Sequence, residues 1–195
     1  MKIIGLTGPS GTGKTTFSNI AVDLGYDIID CDKVAREVTN SFELLNILEK
    51  EFGQVVVDGK LDRKALAQKA FCTKESTEKL NGIMLPVIAN AIDEKIKVLE
   101  NKGTKYLILD APTLYESGED RRCDAVIALL ADKKVRAKRI KSRDNLTPHQ
   151  LESRLKAAKP DDFYKERTKY IIYNNSDLSE IKSEVVAILQ KLKER

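Results

Sequence analysis

One short stretch near the start of the chain constrains its fold more than any other. Residues 8–15 read GPSGTGKT and fit the pattern G-x-x-x-x-G-K-[ST], in which backbone N–H groups wrap phosphate oxygens. The apolar run 3–6 before it predicts a buried parallel strand, and the apolar spacing after Thr16 predicts a helix. Strand, glycine-rich loop and helix thus follow one another in the order that a phosphate-binding loop requires.

The residue types of this loop suit a chain of phosphates. Glycines leave room for the backbone to approach an anion, and the helix that begins at Lys14 directs its positive dipole end toward it. The Lys14 amine would reach the β- and γ-phosphates, and the Thr15 hydroxyl would bind Mg²⁺. The sequence therefore predicts a nucleotide site with Mg²⁺, formed by Gly8, Gly11, Thr12, Gly13, Lys14, Thr15 and Thr16.

Length and composition favour one domain in an aqueous compartment. The chain has 195 residues, of which 42% are hydrophobic and 33% charged, so residues 1–195 can form a single core. No apolar run approaches the ~20 residues of a membrane helix. Because the apolar strand runs straight into the glycine-rich loop, we expect neither a preceding domain nor a signal peptide.

Cysteine and histidine usage argues against structural metal or disulfides. Cys31, Cys72 and Cys123 are an odd number without a CxxC pair, which favours reduced thiols in the cytoplasm. Their spacing and the single histidine, His149, disfavour a zinc site. His149 itself is expected to be an exposed residue in the first turn of a helix.

Basic residues crowd the segment 133–143, although the net charge of the chain is only +4. Three interpretations are open: a solvated helix face, a nucleic-acid surface, or a clamp for phosphate. No aromatic residues interleave with the basic ones to stack on bases, so we expect no nucleic-acid partner. The phosphate loop makes the clamp the interpretation to test.

Two acidic residues follow the second predicted strand, 26–29. Asp30 and Asp32 stand where parallel sheets place their ligands, beyond the carboxyl end of a strand. Asp32 would cap a helix over 33–39, or it would act as the base that takes a proton from an accepting hydroxyl. Two acids at this point favour the second role. Arg36 lies on the same helix face, suited to a phosphate or to pairing with Asp32.

A third acid follows the strand predicted over 106–109. Asp110 after four apolar residues resembles the acid that holds Mg²⁺ directly or through water in phosphate-loop proteins, although a loop-capping acid is the alternative. Two more strands are predicted over 124–130 and 170–173. Together these elements predict an α/β fold: a three-layer sandwich with a five-stranded parallel sheet and helices on both faces.

Between the second and third of these strands the chain reads as helical. We expect a helix over 41–52, a turn at 58–60, and no strand from 62 to 101, with Pro86 ending one helix or beginning the next. Such a block (61–101) predicts an inserted helical subdomain that binds an acceptor. Further expected helix caps are Asp62, Asp132, Thr147, and Asp177 or Ser179.

These motifs resemble the dephospho-coenzyme A kinase family from the first strand to the last helix. The matches are the phosphate loop, Asp30 and Asp32 followed by Ala35 and Arg36, the run DGKLDR at 58–63, and Asp, Pro, Leu and Glu within 110–116. The departures are Leu85 where the family has a histidine, Ala158 where it usually has a glutamine, and Thr113 and Tyr115 in place of Leu and Phe.

The resemblance implies a P-loop NTPase fold with helical substrate-binding and lid insertions, the lid over 139–168. It implies transfer of the ATP γ-phosphate to the 3′-hydroxyl of dephospho-CoA, the last step of coenzyme A biosynthesis. Catalysis would then involve Lys14, Asp32, Arg139 and Arg143. The substrate would contact Asp32, Arg36, Asp110 and Arg154, Mg²⁺ would bind Thr15 and Asp110, and Asn175 would lie by the adenine unless it only forms a turn.

Three other interpretations remain open. The chain could phosphorylate a different small molecule or nucleotide, because acceptor choice depends on the divergent helical block. A GTP-dependent switch is disfavoured, since the Asn-Lys-x-Asp motif that reads guanine is absent. Leu85 and Ala158 would also suit a non-catalytic nucleotide-binding relative, against which Lys14, Thr15, Asp32 and Asp110 argue. The sequence carries no indication of oligomeric state.

Overall fold

The computed structural model describes residues 1–175 and 178–194, so the expected cap Asp177 lies outside the described residues. The chain forms two compact units, one of Met1–Ile29 with Leu99–Arg195 and one of Asp30–Val98. The strands are β1 (Lys2–Thr7), β2 (Asp27–Asp30), β3 (Val56–Val57), β4 (Lys60–Leu61), β5 (Tyr106–Asp110), β6 (Ala125–Leu130) and β7 (Tyr170–Tyr173).

Helices connect these strands. They are α1 (Lys14–Asp23), α2 (Cys31–Val38), α3 (Phe42–Phe52), α4 (Arg63–Ala70), α5 (Lys74–Asn101), α6 (Leu114–Ser117), α7 (Lys133–Arg143), α8 (Pro148–Lys156), α9 (Asp161–Lys165) and α10 (Leu178–Lys193), with a 3-10 turn at Glu119–Arg122. Within the described part of the chain, no helix combines the length and apolar character needed to cross a bilayer, the long α5 included.

The five-stranded parallel sheet is confirmed, with strand order β2-β5-β1-β6-β7. β1 lies at its centre, pairing Leu6 with Asp110 of β5 and with Ile127 of β6. Since β1 and β5 run parallel, the loop that follows β1 and the acid that ends β5 meet at the same edge of the sheet. The sheet thus brings two sequence-predicted site elements to one edge.

Side-chain alternation along β6 divides the core of the first unit into two layers. Ile127 and Leu129 pack with α1 and α10, through residues such as Phe17 and Val185. Their neighbours on the opposite face, Ala128 and Leu130, pack instead with Tyr164 of α9 and with Tyr115 of α6. Helices therefore cover both faces of the sheet, which confirms the three-layer sandwich.

The second unit is helical and has its own core, in which Leu44 and Leu48 of α3 pack with Val55 and with residues of α4 and α5. Its β3–β4 hairpin turns on Asp58 and Gly59, both with positive φ, as a two-residue hairpin loop requires. The segment 62–101 contains α4 and α5 without a strand, as expected.

The expectation that Pro86 would interrupt the helical block was wrong, since α5 runs unbroken through it for 28 residues. A proline removes one backbone hydrogen bond and crowds the carbonyl four residues earlier, here that of Gly82. Gly82 is exposed and has open space around it, so its carbonyl can turn toward water. Local exposure thus makes the proline tolerable.

Candidate active site

The phosphate loop is shaped by close contacts with the sheet. A Cβ on Gly8, which has φ +132°, would lie 2.1 Å from the Leu129 carbonyl oxygen of β6. A Cβ on Gly13, which has φ +101°, would lie 2.3 Å from Nδ2 of Asn174. The backbone contact excludes a side chain at Gly8, and the positive φ disfavours one at Gly13, so both glycines suit the fold around the loop as well as the room needed for an anion.

Lys14 and Thr12 hold the loop from within. The Lys14 amine donates to the carbonyl of Gly8 at 2.7 Å, and the Thr12 hydroxyl donates to the carbonyl of Pro9 at 3.0 Å. No side chain caps the N-terminus of α1 at Gly13, so its first N–H groups remain directed at the loop. The arrangement presents a cation and a helix N-terminus to an anion, which is the chemistry of phosphate binding.

Arg136 of α7 supports the same loop from outside and was missed in the sequence. Its Nε donates to the Ser10 carbonyl at 3.0 Å, and only 7% of the residue is exposed. Burial lowers the pKa of its guanidinium. Gly11 packs on the Arg136 backbone carbonyl, where a Cβ would lie 2.9 Å away. In the sequence, Arg136 is one of several basic residues in the segment 133–143. Only its tertiary contact with the loop distinguishes it from the others.

Oxygen groups suited to Mg²⁺ lie beside the loop. Asp110 ends β5, and the Ser18 hydroxyl, one turn after Lys14, donates to its Oδ2 at 3.3 Å. Thr15 lies in the first turn of α1 and is exposed, and Thr16 is half-buried. No group of three or more acidic, histidine or cysteine side chains able to hold a metal occurs among the described residues. Mg²⁺ needs no such group, because it binds one or two protein oxygens together with water and phosphate, so a hydroxyl with a carboxylate fits it.

Asn174, directly after β7, connects the loop to Arg139 and was also missed. Its Nδ2 donates to the Thr12 carbonyl at 2.8 Å, and its own two oxygens accept from Arg139 at 2.9 and 3.2 Å. The neighbouring Asn175, the expected adenine contact, is exposed and accepts from the Asp132 backbone N–H at 2.7 Å. Asp132 has the cap position of α7, but its side chain makes no capping bond.

Arg143 and Arg154 both donate hydrogen bonds to the carboxylate of Asp144. Arg143 donates two hydrogen bonds to Asp144, at 2.6 and 2.8 Å, and Arg154 donates to the same carboxylate. Hydrogen bonds and charge from both arginines lower the pKa of Asp144 to about 2, against an ordinary value of 3.8. Arg154 belongs to α8, whose predicted start at Thr147 is confirmed by a capping box with Gln150. Of the three site arginines predicted in the lid segment 139–168, Arg143 and Arg154 thus share an internal anion, and Arg139 binds Asn174.

In the second unit, Asp30 caps α2, so the capping alternative for Asp32 does not apply. The Asp30 side chain accepts from the Lys33 N–H at 2.9 Å, and α2 begins one residue after it. Asp32 is therefore inside the first turn, exposed, with Arg36 exposed in the last turn of the same helix. The two acids therefore have different positions. Asp30 ends β2 and caps α2, and Asp32 is exposed in the first turn of that helix.

The run 58–63 is structural in this unit. Asp62 caps α4 by accepting from the N–H groups of Lys64 and Ala65 at 3.0 Å. Arg63 donates to the hydroxyl of Thr39 at 2.9 Å, which ties the start of α4 to the end of α2. The motif thus positions α2, the helix that carries Asp32 and Arg36.

Comparison with known proteins shows which family this chain is similar to. A family model described as dephospho-CoA kinase matches residues 2–180. The chain is 34% identical over 181 residues to a dephospho-CoA kinase of Fusobacterium nucleatum, and the match covers 92% of each chain. Its fold is similar to a structure titled dephospho-CoA kinase from Campylobacter jejuni, with a TM-score of 0.71, 28% identity, and coverage of 100% of this chain and 98% of that one. A crystal structure from Thermus thermophilus gives a TM-score of 0.85 at 27% identity, covering 98% of this chain and 97% of the other.

Proposed function

The chain belongs to the dephospho-CoA kinase family, and from this premise we propose how its residues divide the reaction. It is a kinase that transfers the γ-phosphate of ATP to the 3′-hydroxyl of dephospho-CoA, giving coenzyme A. The residue assignment rests on the phosphate loop. There, Lys14, the uncapped N-terminus of α1 and Asp110 lie at the same edge of the parallel sheet.

The loop binds ATP. Backbone N–H groups of the segment 8–16 hold the phosphates, and the Lys14 amine leaves the Gly8 carbonyl to reach the β- and γ-phosphates. In the bound state the amine donates charge-assisted hydrogen bonds to the phosphate oxygens, which are stronger than hydrogen bonds between neutral groups. Thr15 and Asp110 would hold Mg²⁺, which would neutralise charge on the phosphates.

Asp32 accepts the proton of the attacking hydroxyl. Its exposure on the first turn of α2 supports this role, because its capping alternative is filled by Asp30. Arg36, on the same helix, contacts the substrate. The acceptor is bound by the helical segment 61–101, whose core is built independently of the sheet.

The arginines of the lid segment 139–168 neutralise charge on the transferred group. Arg139 and Arg143 serve the transition state, and Arg154 contacts the substrate. A lid that closes over the reactants excludes water, so the phosphate is not lost to hydrolysis. Asn175 contacts the adenine. We place the activity in the cytoplasm, in keeping with three free cysteines, and expect a small-molecule acceptor as partner.

Paired substitutions of the two acids on α2 test the base assignment. Asp32→Asn is expected to lower kcat about 10²- to 10⁴-fold with ATP affinity retained, because an amide cannot take the proton. Asp30→Asn is the matched control: an asparagine still caps the helix, so activity and thermal stability are expected to stay near the parent values. Full activity in Asp32→Asn would overturn the base assignment without affecting the family.

A further inference from the structure

We propose that Asn174 is a positioning residue that couples the ATP-binding loop to Arg139. It follows β7 directly, and its backbone N–H donates to the Leu130 carbonyl at 2.8 Å, which continues the ladder between β6 and β7. Only 4% of the residue is exposed. Its backbone is thus held by the sheet, while its side chain points to the loop.

The chemistry of the partners fixes how the carboxamide is oriented. The Thr12 carbonyl can only accept a hydrogen bond, and the Arg139 guanidinium can only donate. One orientation satisfies both: Nδ2 toward Thr12 at 2.8 Å and Oδ1 toward Arg139 at 3.2 Å. Arg139 also donates to the Asn174 backbone carbonyl at 2.9 Å, so the guanidinium forms hydrogen bonds with two oxygens of a single residue.

The bond to Thr12 sets the direction of a phosphate-binding N–H. The Thr12 carbonyl and the Gly13 N–H belong to one planar peptide and point in opposite directions. Anchoring that carbonyl on Asn174 therefore turns the Gly13 N–H away from Asn174. A Cβ on Gly13 would lie 2.3 Å from Nδ2, so the Asn174 amide packs directly against the Gly13 backbone. ATP affinity thereby depends on the amide group of residue 174.

Replacing Asn174 by aspartate tests the contact with Thr12 separately from the contact with Arg139. Asn174→Asp keeps an acceptor for Arg139 but sets a carboxylate oxygen against the Thr12 carbonyl, where neither can donate. ATP dissociation constants measured by calorimetry without acceptor are expected to rise about tenfold or more, while kcat at saturating ATP stays within about threefold. Asn174→Ala loses both contacts, so both quantities are expected to worsen. Asn46→Asp, at an exposed position of α3, is the control and should change neither.

A double-mutant cycle tests the coupling to Arg139. If Asn174 acts on turnover through Arg139, Asn174→Ala will add little to the kcat loss of Arg139→Ala yet will still weaken ATP binding. Additive kcat losses, or parallel losses of affinity, kcat and melting temperature in every variant, would overturn the proposal in favour of a purely structural role.

The kcat half of this inference rests on the proposed role of Arg139, and the ATP half does not. A wild-type protein without dephospho-CoA-dependent turnover would contradict the proposed function, yet the ATP affinities would still test Asn174. Should the variants fail to fold, NMR of the wild-type protein decides: the Asn174 side-chain amide protons are expected to exchange far more slowly than those of Asn46 and to shift on ATP binding. Exchange as fast as at Asn46 would refute the inference.

Discussion

The unit built on the parallel sheet and the helical unit 30–98 use the same residue types differently. In the first, a Cβ added at Gly8 or Gly13 would lie 2.1 or 2.3 Å from the nearest atom, and the charged residue Arg136 is 7% exposed. In the second, Gly59 has nothing within 4 Å, and the acids of interest are exposed. The first unit is therefore expected to be intolerant of substitution because its parts interlock, whereas the second should tolerate all but a few chemically used side chains.

Removal of a lysine gives the largest expected contrast between the units. Lys14→Ala is expected to lower kcat/KM about 10³-fold, because the cation that binds the β- and γ-phosphates during transfer is lost. Lys60→Ala, at an exposed hairpin position of the helical unit, should leave steady-state kinetics unchanged. Similar losses in both variants would show that the contrast is wrong.

Glycine substitutions sharpen the contrast in stability. Gly8→Ala combines an unfavourable φ with a clash against β6, so the free energy of unfolding is expected to fall by about 3 kcal/mol. Gly59→Ala meets only the unfavourable φ, with an expected cost of about 1 kcal/mol. Urea unfolding of the two variants measures this, and equal costs would mean that the loop relaxes around the added methyl.

Carboxylate titration gives a smaller contrast. The pKa of Asp144, which is bound by two arginines, is lowered to about 2, whereas the pKa of Glu37 in the helical unit is lowered mainly by a hydrogen bond from Lys95. Because the pKa of Asp144 is depressed, the stabilisation by its ion pairs is complete above its ordinary value of 3.8 and is lost as pH falls through about 2. NMR titration should find the Asp144 midpoint near 2, rising in Arg154→Gln. An unchanged midpoint in that variant would argue against the shared carboxylate.

The smallest expected effect is on thiol reactivity. Burial raises the pKa of Cys123 to about 12, whereas Cys72 in the helical unit is exposed. A thiol with a raised pKa forms little of the reactive thiolate at pH 8, so iodoacetamide followed by mass spectrometry should label Cys72 first. Cys72→Ser would then remove the fast phase. Equal labelling rates would show that Cys123 is more accessible than the structure indicates.

The sheet and its loop were predictable because their signals are local. Apolar runs, a glycine pattern and an acid after a strand each need only a few adjacent residues, and strand pairing then places the end of β5 beside the loop. Helix starts at Asp62 and Thr147 were equally readable, since a cap acts over three residues.

What the sequence did not reveal depends on contacts between distant residues. Asn174 meets Thr12 across 162 positions, and Arg136 meets Ser10 across 126. Nothing near either residue signals such a partner. The local departures have local causes. Asp30 caps α2, which the sequence offered only as an alternative for Asp32, and open space at Gly82 gives α5 room to continue through Pro86.

Coupled ATP turnover, with and without dephospho-CoA, tests the central claim most directly. ADP release in the presence of Mg²⁺ should depend on the acceptor, and mass spectrometry should find a product heavier by one phosphate group at the 3′ position. ATP binding without acceptor-dependent turnover would contradict the claim, and would point to Leu85 and Ala158 as marks of a changed acceptor or lost catalysis.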